Sequence, residues 1–213
     1  MLSYNVLANL YERSGTNVII RAGGSTANVA TYNASQPVAV LNYWNGSTNV
    51  GLTGAFSDQL SNSTIGPAWF ETSQTSPKGT KWIYGLNFRD NTSAGVQATV
   101  DVACIVYNTP GDSLYAFELG NGFEKWGGRY RPSDWSPRTY AENVIEYADL
   151  FDRHILGNNS DVEPIIQMGT LQGSGGAFIN QPWISEVVLS YNITRNGQIK
   201  STSQHDTSPE MLV

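Results

Sequence analysis

Leu114-Tyr115-Ala116-Phe117-Glu118-Leu119-Gly120-Asn121-Gly122-Phe123-Glu124-Lys125-Trp126 begins as an apolar run and turns polar and glycine-rich after Leu119. The first six residues have the length and composition of a buried strand. The change in composition marks where that strand ends. Polar groups just past the C-terminal ends of parallel strands are where α/β folds carry their chemistry. Glu118, Asn121 and Glu124 are therefore candidate functional residues.

On either side the same pattern recurs. Leu2, Val6, Leu7 and Leu10 stand at helical spacing before Gly15, so residues 2–14 read as a helix. Val18–Arg21 reads as a short strand ending at Gly23-Gly24, and Lys81–Phe88 as another. Residues 25–58, rich in Ser, Thr, Asn and Gly, read as a long elaborated loop over a site, with a short helix around Thr64–Thr72. Ala94, Ala98, Val102, Ile105 and Val106 mark a helix over 93–107. Ser136 caps a further helix with Pro137 at its first position, and Tyr140, Val144, Tyr147, Ala148, Phe151 and Ile155 form its apolar face. Strands at Glu163–Met168 and Gln198–Ser203 come next, separated by a helix at Pro182–Tyr191. Alternating strands and helices predict a parallel sheet with right-handed crossovers. An open doubly wound sheet and part of a (β/α)8 barrel both fit five strands.

Composition narrows the partners. The chain has 213 residues, enough for one core, with 12 basic and 18 acidic residues and a net charge of −6. No block of Lys and Arg marks a nucleic-acid surface, and no apolar run reaches the ~20 residues of a membrane span. Cys104 is the sole cysteine and lies in an apolar run, so it reads as a small buried residue. His154 and His205 have no paired ligand spacing, so no metal site and no cofactor is expected. Gly173-Ser174-Gly175-Gly176 could cradle a phosphate, which leaves an open-sheet phosphate- or nucleotide-binding domain as an alternative. The loop lacks a following Lys and the spacing of a dinucleotide fingerprint. Sequons at Asn33, Asn45, Asn62, Asn91, Asn158 and Asn192 suggest a secreted glycoprotein. The first residues, Met1-Leu2-Ser3-Tyr4-Asn5, have neither the basic start nor the apolar stretch of a signal peptide, so the true start is expected upstream.

Arg21, Asn87, Arg89, Asp90, Glu118, Asn121, Gln167, His205 and Asp206 all fall at or just past strand C-termini. Polar side chains gathered at one end of a parallel sheet point to a carbohydrate or similar polar ligand.

These segments resemble glycoside hydrolase family 79, the family of fungal β-glucuronidases and heparanase. Val18–Thr26 resembles its "R-x-G-G-[NS]" strand end, and Gly66–Glu71 and Gly85–Phe88 its next segments. Leu114–Asn121 is similar to its catalytic strand, Tyr130–Trp135 to the segment after that strand, and Ser203–Asp206 to its sixth strand end. The order is colinear. The resemblance implies an α/β chain of the (β/α)8 TIM-barrel type, partial, covering about strands two to six. Residues 1–213 would be a single partial catalytic domain without the C-terminal part of the barrel or any β-domain. It implies a retaining glycosidase ancestry acting on glucuronic-acid-containing glycans, with substrate contacts at Arg21, Asn87, Asn121 and His205. The family's acid/base Glu is replaced by Gly122, with Glu118 and Glu124 the nearest carboxylates, and its nucleophile would lie on strand seven, which this chain lacks. The chain is thus expected to be catalytically defective. A non-catalytic carbohydrate-binding protein is the second expectation.

Overall fold

The computed structural model describes residues 2–44, 47–49, 60–109, 113–157, 165–172 and 199–205. Helix α1 (Leu2–Ser14) leads into strand β1 (Ile19–Ala22). A 3-10 turn at Ala27–Val29 precedes four strands, β2 (Ala30–Tyr32), β3 (Val40–Trp44), β4 (Ser47–Asn49) and β5 (Leu60–Ile65). Short helix α2 (Pro67–Glu71) then returns the chain to β6 (Lys81–Leu86), α3 (Ser93–Asn108), β7 (Leu114–Leu119) and α4 (Pro137–Phe151). A π turn at Asp152–Leu156 extends α4, and strands β8 (Ile166–Gln172) and β9 (Ile199–His205) complete the order.

Strands β1, β6, β7, β8 and β9 form one sheet in that order, and each neighbouring pair is parallel. A doubly wound sheet reverses its strand order at a switch point. Here every new strand is added on the same side, which is how a barrel grows. The sheet is a barrel-type arc, as the family resemblance implies, and not the doubly wound alternative.

The register fixes what each face carries. Paired residues of parallel neighbours share a face, and side chains alternate along each strand. Arg21 pairs with Ile83, Gly85 with Glu118, Glu118 with Gln167 and Gln167 with Ser201. One face therefore bears Arg21, Ile83, Gly85, Glu118, Gln167 and Ser201. The other carries Trp82, Tyr84, Leu86, Phe117, Leu119 and Ile166, all buried. Phe117 meets Phe151 of α4 with ring centroids 5.5 Å apart, so the apolar face is the one that packs on the helices. Each such large side chain contributes about 1.5–3 kcal/mol when fully buried.

Local signals account for the helices. Ser136 and Thr139 form a reciprocal capping box at α4, with Pro137 at the first position. The Thr92 side chain accepts from the Gly95 N–H and caps α3.

The stretch over 25–58 departs from expectation. Instead of an elaborated loop, residues 30–32, 40–44 and 47–49 join 60–65 in a second sheet of order β2-β5-β3-β4. Polar residues run through these strands, so apolar alternation is too weak to announce them. Buried Gln36 holds the layer together: its Nε2 donates to the Val38 and Thr64 carbonyls, and its Oε1 accepts from the Thr64 hydroxyl. Two smaller differences concern boundaries. Residues 64 and 65 end a strand before α2 begins, and β8 starts at Ile166 and runs on to Gln172. The expected helix at 182–191 and the glycine-rich turn at 173–176 lie outside the described residues.

Candidate functional site

The polar face of the arc converges on Glu118, which is 1% exposed. Arg21 Nε donates to its Oε2, and Gln167 Nε2 donates to its Oε1 at 3.1 Å. Ser201 Oγ donates in turn to Gln167 Oε1 at 2.9 Å. A hydrogen-bonded row thus crosses the sheet from β1 to β9. Arg21 and Glu118 are two strands apart; on β6 between them Ile83 pairs with Arg21 and Gly85 with Glu118. A Cβ on Gly85 would stand 3.1 Å from the Gly23 Cα and 3.3 Å from the Ala27 Cβ, tighter than ordinary contact. The missing side chain lets β1 close onto β6 and leaves the span between Arg21 and Glu118 open.

At the strand ends Arg21 turns a second donor outward: its Nη2 meets Asn121 Oδ1 at 3.0 Å. Asn121 is gripped from the other side by Asn28. The Asn28 Nδ2 donates to the Asn121 carbonyl at 2.9 Å, and its Oδ1 accepts the Asn121 N–H at 3.2 Å. Ser25 Oγ accepts from Asn121 Nδ2 at 3.5 Å. The structure therefore joins Arg21, Glu118 and Asn121 in one network. Asn28 and Ser25, which complete it, have no sequence signal of their own, because their partner lies more than 90 residues away.

Asn87 lies beside this network. Its Nδ2 donates to the Ala30 carbonyl and its Oδ1 accepts the Arg89 N–H, so its amide fastens the end of β6 to the second sheet. Asn28 and Asn87 share the wall of an open cleft of about 330 Å³ with Thr31, Asn62, Arg89 and Tyr130. His205 is the last residue of β9, where it pairs with Gln172. Among the described residues no group of three or more His, Cys, Asp or Glu side chains could hold a metal ion.

The loop after β7 is held rigidly. Gly122 is buried and has φ +64°, the left-handed region that favours glycine. Glu124 comes next in a 3-10 turn at Phe123–Lys125 and is half-buried. Phe123 stacks on Tyr140 with centroids 3.7 Å apart, and Trp135 Nε1 donates to the Phe123 carbonyl at 2.9 Å. Arg131, 6% exposed, donates to the Phe88 and Arg89 carbonyls while its guanidinium lies 5.1–5.5 Å from the ring centres of Phe88, Trp126 and Trp135. It ties the β6 end to the β7 end.

Of the sequons, Asn33 is exposed in a turn where its Oδ1 accepts the Ser35 N–H, Asn62 is exposed on β5, and Asn91 is exposed just before α3. Asn45, Asn158 and Asn192 lie outside the described residues.

No family model matches the chain. A β-glucuronidase of Neurospora crassa is 34% identical over 152 residues, which cover 67% of this chain and 25% of that protein. A β-glucuronidase of Aspergillus niger is 31% identical over 164 residues, covering 73% of this chain and 28% of that protein. The chain thus spans about a quarter of the length of the curated relatives it matches. Among solved structures, a 4-O-α-L-rhamnosyl-β-D-glucuronidase from Fusarium oxysporum, crystallised as its Rha-GlcA complex, superposes with a TM-score of 0.68 at 26% identity. That match covers 95% of this chain and 39% of the Fusarium chain.

The arc of parallel strands with polar groups at its C-terminal ends is a partial barrel of the glycoside hydrolase type. Within that class the chain is glucuronidase-like.

Proposed function

We propose that this chain is a carbohydrate-binding, catalytically silent relative of the family 79 β-glucuronidases, with glucuronic-acid-containing glycans as its ligands. The single observation that carries this reading is the network in which Arg21 and Asn28 hold Asn121 at the end of β7, next to a glycine. The Asn is the family's sugar-contacting type, and it is braced on three sides. The adjoining position 122 offers no proton donor. Glu118 cannot replace one while both its oxygens are taken by Arg21 and Gln167. General acid/base catalysis contributes ~10²–10⁴ in rate, so its loss alone would leave little turnover. Arg21, Asn87, Asn121 and His205 are proposed as the substrate-contacting set. The chain is further proposed to be one barrel domain of a secreted glycoprotein modified at the exposed sequons Asn33, Asn62 and Asn91.

Two measurements test this. Incubation with an aryl β-glucuronide is expected to release no more phenol than a heat-killed control. Glucuronic acid is expected to bind the full chain and to lose that binding in Asn121→Ala. Turnover above the control would overturn the silent reading, and binding unaffected by Asn121→Ala would overturn the site.

A further inference from the structure

The cleft beside Asn87 has a feature that the barrel-mouth network does not use. Arg89 lines it, and its guanidinium lies 4.5 Å from the centre of the Tyr130 ring. Arg129 lays a second guanidinium 4.8 Å from the same ring centre. Cation–π contact of this kind holds a guanidinium in place without consuming its N–H donors. Among the described residues, neither arginine makes a salt bridge of the kind that joins Arg21 to Glu118 and Arg138 to Glu142. On a chain of net charge −6, two guanidinium groups seated on one ring concentrate positive charge at this cleft, with Asp90 the acid beside them.

Asp90 also lines the cleft and is drawn to Arg89, but hydrogen bonds at the start of α3 hold its carboxylate. Its Oδ1 accepts from the Thr92 hydroxyl at 2.7 Å and the Thr92 N–H at 3.0 Å, at the start of α3. These hydrogen bonds, with smaller pulls from the Arg131 and Arg89 charges, hold its carboxyl below the usual value. The positive end of the α3 dipole screens the carboxylate further.

We infer that Arg89 and Arg129, seated on Tyr130, form an accessory site for an anionic group of a glycan, a carboxylate or a sulfate ester. Asn62, which also lines the cleft, is exposed on β5 and offers amide contacts to sugar hydroxyls. Guanidinium forks match both anions in geometry, and such charge-assisted bonds are about twice as strong as neutral ones. This inference rests on the carbohydrate reading above and adds a charged subsite to it.

The experiment titrates the full chain with three probes: a glucuronic acid hexasaccharide, a dextran sulfate of similar length and uncharged dextran. One or both anionic probes are expected to bind at least about tenfold more tightly than dextran, and to weaken steeply as salt rises. Preference for the hexasaccharide assigns the site to uronate, and preference for dextran sulfate to sulfate. Arg129→Glu, at an exposed position, and Arg89→Ala are each expected to weaken anionic binding about tenfold. Arg138→Ala, on α4 and paired with Glu142, should leave it unchanged. Equal binding of dextran, or unchanged affinity in Arg129→Glu, would overturn the inference. Asn121→Ala separates the two readings. If it abolishes glucuronic acid binding while the arginine variants bind the anionic probes normally, the accessory site fails and the barrel-mouth reading stands. The reverse pattern keeps the arginine site and removes the barrel-mouth one.

Discussion

Glu118 receives a donor from each side, a guanidinium from β1 and an amide from β8, at the centre of a sheet whose opposite face is apolar. A buried carboxylate is tolerated only when it is paired and hydrogen-bonded, and here both conditions hold. Removing it leaves Arg21 without its counter-ion and Gln167 without its acceptor. Breaking a buried pair from one side costs ~3–5 kcal/mol. Arg21 is 26% exposed, so water recovers part of that, and Glu118→Ala should fall near the low end. Glu118→Gln keeps the volume and one acceptor and should cost less. Urea midpoints of the two variants check this: equal midpoints for Ala and Gln would show that the charge and the row of hydrogen bonds contribute nothing. The presence of a polar group at 118 is legible in the sequence, as an acid interrupting an apolar strand. Its partners are not, because the register that brings Arg21 across Gly85 is a property of the assembled sheet.

At the scale of elements, α4 shows how one helix can make the whole sheet sensitive to alkali. Tyr147 sits on its apolar face, 3% exposed, with Phe88 at 5.1 Å and Phe151 at 6.2 Å between ring centres. Burial pushes its phenol from 10.0 up to about 12, against smaller opposing pulls from the Thr99 hydroxyl and the Arg131 charge. The folded state therefore holds the Tyr147 proton more tightly than the unfolded chain. Below pH 10 both states keep that proton and the full contribution is present. Between pH 10 and about 12 only the unfolded chain releases it, so stability falls as pH rises, by ~1.4 kcal/mol per unit. Tyr84 is shifted in the same direction by its own burial. Tyr147→Phe keeps the ring and removes the proton, so its urea midpoint should fall less than wild type between about pH 9 and about pH 11. Identical falls would remove Tyr147 from the alkaline transition. This helix is the most legible element, since a capping Ser-Pro start and a clear apolar period agree. The second sheet is the least legible: its strands are three to six residues long. The partner of β2 lies far along the chain, with Ala30 opposite Ser63.

At the scale of the molecule, the sheet order leaves β1 as one of its two outermost strands among the described residues. Among the described residues β1 pairs with β6 alone, and Ile19 is 48% exposed. An outer strand presents unpaired N–H and C=O groups, and natural sheets guard such strands with Lys, Pro, a bulge or a covering segment. Val18-Ile19-Ile20-Arg21-Ala22 contains neither Lys nor Pro, and its register with β6 runs without a bulge. Tyr4, Val6, Leu10 and Tyr11 of the preceding helix add exposed apolar surface nearby in sequence. The 213-residue chain should therefore self-associate in a concentration-dependent way, with β1 as the contact. Ile19→Lys places a charge on the exposed side of that strand and should lower the apparent mass seen by light scattering. It should leave the cooperative unfolding transition in place, because Ile19 contributes little buried surface. A single-chain mass for wild type at all concentrations would show that β1 is already protected. An unchanged mass in Ile19→Lys would move the contact elsewhere, with the exposed face of α1 the next surface to probe.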